Sequence, residues 1–337
     1  YFASVQVYPM SLSPLLPRVA VVVPVFNRAH CILATLDSIL AQTLRPAQVI
    51  VVDNGSTDQS KAVVEAWMQQ QKPHCELLLL SEPCRGASAA RNRGLQAVTT
   101  EWVSFFDSDD LMSPDFLERM LGCAQAQEKE WVIARTQMVF APNTSASFPK
   151  RIVRWGTSQP TLVDHILGAC ISTQSFVAQT QLLRRIKGWN QHLPMWNDYE
   201  IGLRLLLASP QPAWCEGVFH QIFQHPDSIT GSCLSDRAEQ LILALVSIAR
   251  TLQEHSDRFS APPLRHAFTA LLYRTNIVAG QLLCKGNPRA AQQLLRVMGS
   301  QLPQCPKRHS LFSSLLRHYV SWGGRGAWRI ARLLARC

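Results

Sequence analysis

Between Arg18 and Pro24 the chain reads Arg-Val-Ala-Val-Val-Val-Pro, an apolar, β-branched run with no polar residue alternating through it. A strand solvated on one face alternates, so this pattern predicts a strand buried on both faces, as in a parallel sheet. Gln48–Asp53, Leu77–Leu80 and Trp102–Phe106 repeat the type. Helical periodicity fills the gaps. Ile32, Leu36, Ile39 and Leu40 share one face, and Val63, Val64, Trp67 and Met68 share another after Ser56…Gln59, which has the form of a capping box. Gly86 to Leu95 reads as a loop entering a helix. This alternation of strand and helix predicts a doubly wound α/β domain. Ligands of such sheets bind at the carboxyl ends of the strands, where Asn27, Asp53 and Asp107 fall.

The stretch Phe105-Phe106-Asp107-Ser108-Asp109-Asp110-Leu111 sets three carboxylates within four positions behind a strand end. Like charges held together and desolvated raise one another's energy. A divalent cation with a phosphate-bearing ligand resolves that cost, because Mg²⁺ or Mn²⁺ is commonly held by one or two carboxylates plus substrate phosphates. The alternative is an acidic turn before a helix, with Ser113 as N-cap and Pro114 as its first residue. No GxGxxG follows the first strand and no GxxxxGK[ST] is present, which argues against dinucleotide and P-loop readings.

The 337 residues suffice for one large domain or a domain with an appendage. No run of 18 apolar residues occurs, so no transmembrane helix is expected. Ten scattered cysteines without a CxxC pair suit a reducing compartment, hence a cytoplasmic protein. Residues 1–17 read as an N-terminal extension without a signal-peptide pattern, and Met10 is a candidate natural start. Charge is unevenly placed. The first 257 residues hold 20 Lys and Arg against 23 Asp and Glu, whereas residues 258–337 hold 13 Lys and Arg and no acid. Such asymmetry points to an anionic partner.

Four segments now stand in order: Val-Val-Val-Pro-Val-Phe-Asn-Arg, Val-Val-Asp-Asn-Gly-Ser-Thr-Asp, Gly-Ala-Ser-Ala-Ala-Arg-Asn-Arg-Gly and Phe-Phe-Asp-Ser-Asp-Asp. Together they resemble the family 2 glycosyltransferases of the GT-A fold over roughly residues 18–230. The resemblance implies a GT-A-type doubly wound mixed sheet over 18–232. It also implies inverting transfer of a sugar from a nucleotide-diphosphate donor, usually UDP-linked, to a hydroxyl of a glycan, lipid-linked or protein acceptor. On the matching positions, Pro24, Phe26 and Asn27 line the nucleotide pocket and Asp53 bonds the base. Arg91 and Asn92 sit near the donor, Asp107 contacts ribose or metal, and Asp109 ligates a Mn²⁺ or Mg²⁺ cofactor. Asp110 supports the loop. The segment Trp196-Asn197-Asp198-Tyr199-Glu200 is similar to the family's Glu-Asp motif at a helix start. Asp198 matches the catalytic aspartate, and Asn197 stands in place of the usual Glu. Asn54 stands where many members have Asp. His225 takes a metal or diphosphate contact, or is structural. Asn197, and the absence of the family's usual Arg near His225, keep open the reading of a nucleotide-sugar-binding protein with impaired catalysis, and the basic C-terminal region that of a scaffold binding an anionic polymer.

Trp131–Phe140 is expected to add strands, Pro142 to Gln159 to form a mobile loop, and Leu162–Ala169 a helix. From Asp236 the pattern is helical, giving a C-terminal helical appendage over 236–337. Leu241, Leu245, Ile248 and Leu252 form one stripe, Pro262-Pro263 opens a second helix and Asn287-Pro288 a third. From Leu311 on, large apolar residues interleave with arginines, with a break at Gly323-Gly324. That composition fits either a helical cap with a solvated basic face or an amphipathic element lying on an anionic membrane. No nucleic-acid-binding module is recognisable, so no nucleic-acid partner is expected.

Overall fold

The computed structural model describes residues 18–71, 75–140, 150–153, 156–224, 237–256, 261–303 and 306–336. In chain order the elements are β1 (Val19–Val25), α1 (Ile32–Leu40), β2 (Gln48–Asp53), α2 (Ser60–Gln70), β3 (Glu76–Ser81), α3 (Ala87–Ala97) and β4 (Trp102–Phe105). They continue with β5 (Leu111–Met112), α4 (Phe116–Ala126), β6 (Trp131–Phe140), β7 (Lys150–Val153), α5 (Leu162–Gly168), β8 (Phe176–Gln179), α6 (Thr180–Arg185), α7 (Asn197–Ala208) and β9 (Ala213–Gln224). Five helices follow: α8 (Ala238–Glu254), α9 (Ala261–Cys284), α10 (Pro288–Gln301), α11 (Lys307–Ser321) and α12 (Ala327–Leu334).

Among the described residues nine strands form one mixed sheet in the order β3-β2-β1-β4-β8-β6-β9-β5, with β7 added on β6. β1 to β4 are parallel, as the unbroken apolar runs predict. β8 then runs antiparallel to both β4 and β6, while β6 and β9 are parallel. The strand period of two divides β1 between two cores. Val19, Val21, Val23 and Val25 face α1, α2 and α4, whereas Ala20 and Val22 face α3, α6 and α7. Gly94 lets α3 sit tightly on β1, because a Cβ there would lie 2.3 Å from Val22 Cγ1.

Three local expectations are corrected. Ser56…Gln59 makes no capping box, because the Ser56 hydroxyl accepts from the Asn27 amide and Asp58 accepts from the Ser60 amide instead. The helix after the acidic loop starts at Phe116, beyond Ser113-Pro114. Residues 150–153, placed in a loop by composition, form β7. The rest of that loop lies partly outside the described residues, as do residues 1–17.

The C-terminal helices share a core with the sheet domain. Leu241, Leu245, Ile248 and Leu252 of α8 are fully buried, and they pack in one cluster with α5 and α7 through Ile166, Leu167, Tyr199 and Leu203. Gly280 of α9 has the Arg317 carbonyl oxygen of α11 only 2.6 Å from where a Cβ would stand, so backbone meets backbone there. The buried Asp164 carboxylate of α5 accepts from Thr161 in a capping box and from Arg332 (2.6 Å) and Arg336 (2.8 Å), which pins α12 to the sheet domain. No helix among the described residues is long and apolar enough to cross a membrane.

Candidate active site

At the carboxyl ends of β1, β2 and β4 the loops enclose a cavity of about 960 Å³. Its walls carry Pro24, Phe26, Asn27 and Arg28 from the loop after β1, and Gly86, Ala87, Ser88 and Arg91 from the start of α3. Asp107, Asp109 and Asp110 come from the acidic loop, and Trp196, Asn197 and Asp198 from the start of α7.

The loop after β1 is shaped by Asn27. Its φ of 52° is left-handed, a conformation Asn tolerates better than most residues. In that pose its side-chain oxygen accepts from the Thr57 amide at 2.8 Å, so the first two strand-end loops are tied together. Asn54 does the same between the second and third loops. Its amide donates to the carbonyls of Glu82 (2.9 Å) and Cys84 (2.7 Å), and its oxygen accepts from the Gly86 amide (2.7 Å). A carboxylate could not make the two donations, which gives a physical reason for Asn rather than Asp here.

Arg91 is the centre of the charge arrangement. It is 4% exposed, lies 4.5 Å over the Trp189 ring, pairs with Asp107 Oδ1 at 2.6 Å and donates to Asn197 Oδ1 at 3.3 Å. Asn197 therefore supplies a neutral acceptor where a Glu would have competed with Asp107 for one guanidinium. Asp107 Oδ2 accepts from Gln174 at 2.8 Å, and the same Gln174 amide nitrogen donates to Asp110. Asp110 is 2% exposed, and its other oxygen accepts from the Phe223 amide at 2.9 Å. Burial, and then the charges of Asp107 and Asp109, push its carboxyl well above the usual carboxylate range. Asp110 thus joins the acidic loop to β9, the supporting role expected of it. Asp109 pairs with Arg28 at 3.1 Å.

Asp198 lies in the first turn of α7, where a carboxylate complements the helix dipole, and it accepts from the Tyr199 amide at 2.8 Å. Trp196 precedes the helix in a left-handed conformation, with Arg274 of α9 at 5.0 Å from its ring centre. Glu200 points away into a bidentate pair with Arg204 at 2.7 and 2.8 Å. Two expected residues are off the cavity wall. Asn92 exchanges both amide bonds with the Trp189 backbone, at 2.7 and 2.8 Å. Asp53 is buried behind the wall, its Oδ2 accepting from the Ser56 amide and its Oδ1 without a partner among the described residues. His225 lies outside the described residues. Sequence reasoning gave no individual role to Arg28, Gln174 or Trp189, although Ile171–Ser175 and Leu182–Asn190 resemble the family's acceptor-side segment. Arg28 closes a quoted motif, so its position was available, but its pairing with a loop 81 residues away was not.

Among the described residues no cluster of three or more His, Cys, Asp and Glu is placed to hold a metal. Asp107 and Asp109 are nevertheless both on the cavity wall, and each already holds a cationic group. Two carboxylates with a diphosphate form a sufficient set for Mg²⁺ or Mn²⁺.

A curled mixed sheet with this site at its strand ends is the architecture of GT-A glycosyltransferases, and solved structures match it along the chain. TarS of S. aureus, solved in complex with UDP-GlcNAc, superposes with a TM-score of 0.66 at 18% identity, over 95% of this chain and 91% of that one. The mannosyltransferase PcManGT of Pyrobaculum calidifontis, solved with GDP-Man and Mn²⁺, gives 0.53 at 18% identity over 98% and 90%. Residues 20–186 match the sequence model of glycosyl transferase family 2, which assigns that region of the chain to the family. Glycosyltransferase GlyA of Streptococcus pneumoniae is 34% identical over 103 residues, 31% of this chain and 14% of that protein. The succinoglycan biosynthesis protein ExoO of Rhizobium meliloti is 38% identical over 110 residues, 33% and 30% respectively. The chain spans less than half the length of these curated relatives.

Proposed function

We propose that the protein transfers a sugar, with inversion, from a nucleotide-diphosphate sugar, UDP-linked by resemblance to its family, to an acceptor hydroxyl. The reading rests on one observation: Asp107, Asp109, Arg91 and Asp198 open on the same cavity. The start of α3 and the Arg91 guanidinium suit the donor's diphosphate, because helix N-termini and arginine both favour phosphate oxygens. Asp109 and Asp107 would hold Mn²⁺ or Mg²⁺, which when bound supplies charge stabilisation at the diphosphate. Asp198 takes the proton of the acceptor hydroxyl as its oxygen forms the bond to the anomeric carbon. The bond from that carbon to the diphosphate oxygen breaks at the same time, and the electron pair leaves on the phosphate side. The acceptor is a glycan, lipid-linked or protein hydroxyl. The reaction belongs in the cytoplasm, in keeping with ten scattered cysteines and no CxxC pair.

Thermal-shift titration of UDP- and GDP-sugars, with and without Mn²⁺, tests the donor class. A stabilising donor is expected, with stabilisation greater in Mn²⁺. Single-turnover transfer then tests the base: Asp198→Asn should lose at least about a hundredfold in rate while donor affinity changes little. Full activity of Asp198→Asn would overturn the assignment.

A further inference from the structure

The outermost helices are built the wrong way round for a soluble surface. On α11 the inward face carries His309, Ser313, Leu316 and Val320, all buried. The opposite face carries Leu311 (62% exposed), Phe312, Leu315 (56%), Tyr319 and, at the helix end, Trp322 (87%). On α12 the residues turned inward are Ala327 and Ala331, followed by Ala335, whereas Ile330 and Leu333 (74% exposed) face out. Seven of the thirteen large apolar side chains exposed among the described residues lie on these two helices. Isolated exposed apolar residues are ordinary, but a contiguous set marks an interaction surface. Both helices pack on α9, so their outward faces lie away from the core.

The charges around this face choose the partner. Lys307, Arg308, Arg325 and Arg329 are exposed on the same two helices and the turn between them, and no Asp or Glu occurs after Asp257. A second copy of the chain would bring two wholly basic rims together, which like-charge repulsion opposes. Nucleic acid would satisfy the arginines and leave Leu311, Leu315 and Leu333 without an apolar environment. A bilayer with anionic headgroups satisfies both sets: aliphatic and Trp side chains enter the acyl boundary while Lys and Arg meet the headgroups. Arg332 and Arg336 are not part of this rim, because both are engaged by the buried Asp164. Those two pairs and the close contact of α11 at Gly280 hold the face in place on the folded domain, so no folding transition is required on binding.

We propose that the outward face of α11 and α12 is a lipid-docking surface that seats the protein on an anionic membrane without crossing it. The inference stands on surface chemistry and not on the assigned reaction. The experiment is sedimentation of the full chain with phosphatidylcholine vesicles and with vesicles containing 30% phosphatidylglycerol. Binding to the anionic vesicles is expected to exceed binding to the neutral ones at least tenfold and to fall steeply with salt. The double variant Leu315→Ser/Trp322→Ser changes exposed side chains only, so it should keep the wild-type melting temperature and lose most of the binding. Arg325→Gln/Arg329→Gln should lose the preference for anionic lipid, with each charge contributing about fivefold. Equal binding to both vesicle types, or unchanged binding of the Leu315/Trp322 variant, would overturn the proposal. So would a lipid-free dimer that the Leu315/Trp322 variant dissociates, because the face would then belong to a second copy.

Discussion

The strand-end loops and the C-terminal helices solve opposite problems. Around the cavity, charge is drawn inward and matched: Arg91 with Asp107, Arg28 with Asp109, and Asp110 with Gln174 and the Phe223 amide. On α11 and α12 large apolar side chains are turned outward, and the inward faces combine Leu316 and Val320 with alanines, a serine and a histidine. A buried polar cluster must have its partners in place before it stops costing free energy, so each loop residue there is constrained by several others. A helix packed through small residues needs only a close approach of backbones. Function and stability should therefore separate between the two regions, and substitutions can be chosen to test that separation.

The largest effect is expected in the loops. Asp109→Ala should remove the Mn²⁺-dependent part of donor binding, tenfold or more in affinity, since a ligand carboxylate is lost. Its pair with Arg28 is partly exposed, with side-chain accessibilities of 21% and 24%, so the melting temperature should change little. Calorimetric titration of donor with and without Mn²⁺, beside a thermal melt, reads both quantities. A variant that melts far below wild type would show the acidic loop to be a structural keystone and erase the contrast.

The helical layer should respond in the reverse sense. Gly280→Ala places a Cβ against the Arg317 carbonyl, a backbone atom that cannot rotate aside. The expected cost is about 1–3 kcal/mol, with donor affinity unchanged. Urea unfolding measures the first and donor titration the second. A neutral Gly280→Ala would mean that α11 slides freely on α9, which would also remove the fixed geometry of the lipid-docking face.

The same contrast explains what could be read from the sequence. The parallel strands were legible because burial on both faces leaves no room for polar alternation, and the strand ends then marked Asn27, Asp53 and Asp107. The acidic loop was legible because three carboxylates in four positions require an explanation. Its wiring was not, since Gln174 lies 67 residues from Asp107 and a lone Gln in a polar segment gives no sign of bridging two carboxylates. Asn92 stands within a family motif, yet its amide is used on the Trp189 backbone. In the C-terminal layer the helix boundaries followed from Pro262, Asn287-Pro288 and Gly323-Gly324, but periodicity does not say which face is inside. Leu311 and Leu315 could have been read as core and are exposed; Ala327 and Ala331, the weaker apolar residues, are buried.

His309 offers the smallest and most discriminating test of the helical layer, because it puts a titratable group on the inward face of α11. Its ring lies 7% exposed against α9, with Nδ1 2.7 Å from the Tyr273 hydroxyl. Burial, followed by the charges of Arg308 and His266, holds its pKa below the ordinary 6.5. The sign follows from linkage. With the folded value depressed, the unfolded chain takes up the proton first as pH falls through 6.5, and stability declines from there down to the folded value. Above 6.5 both states are neutral and the group contributes no slope. Gln at this position can still accept from the Tyr273 hydroxyl but cannot titrate. Wild type should therefore lose more stability than His309→Gln between about pH 7.5 and about pH 5.5, and hydrogen exchange should report the loss first in α11. Parallel pH profiles for the two proteins would show that His309 titrates as it does in water, and that α11 is seated more loosely on α9 than its buried face requires.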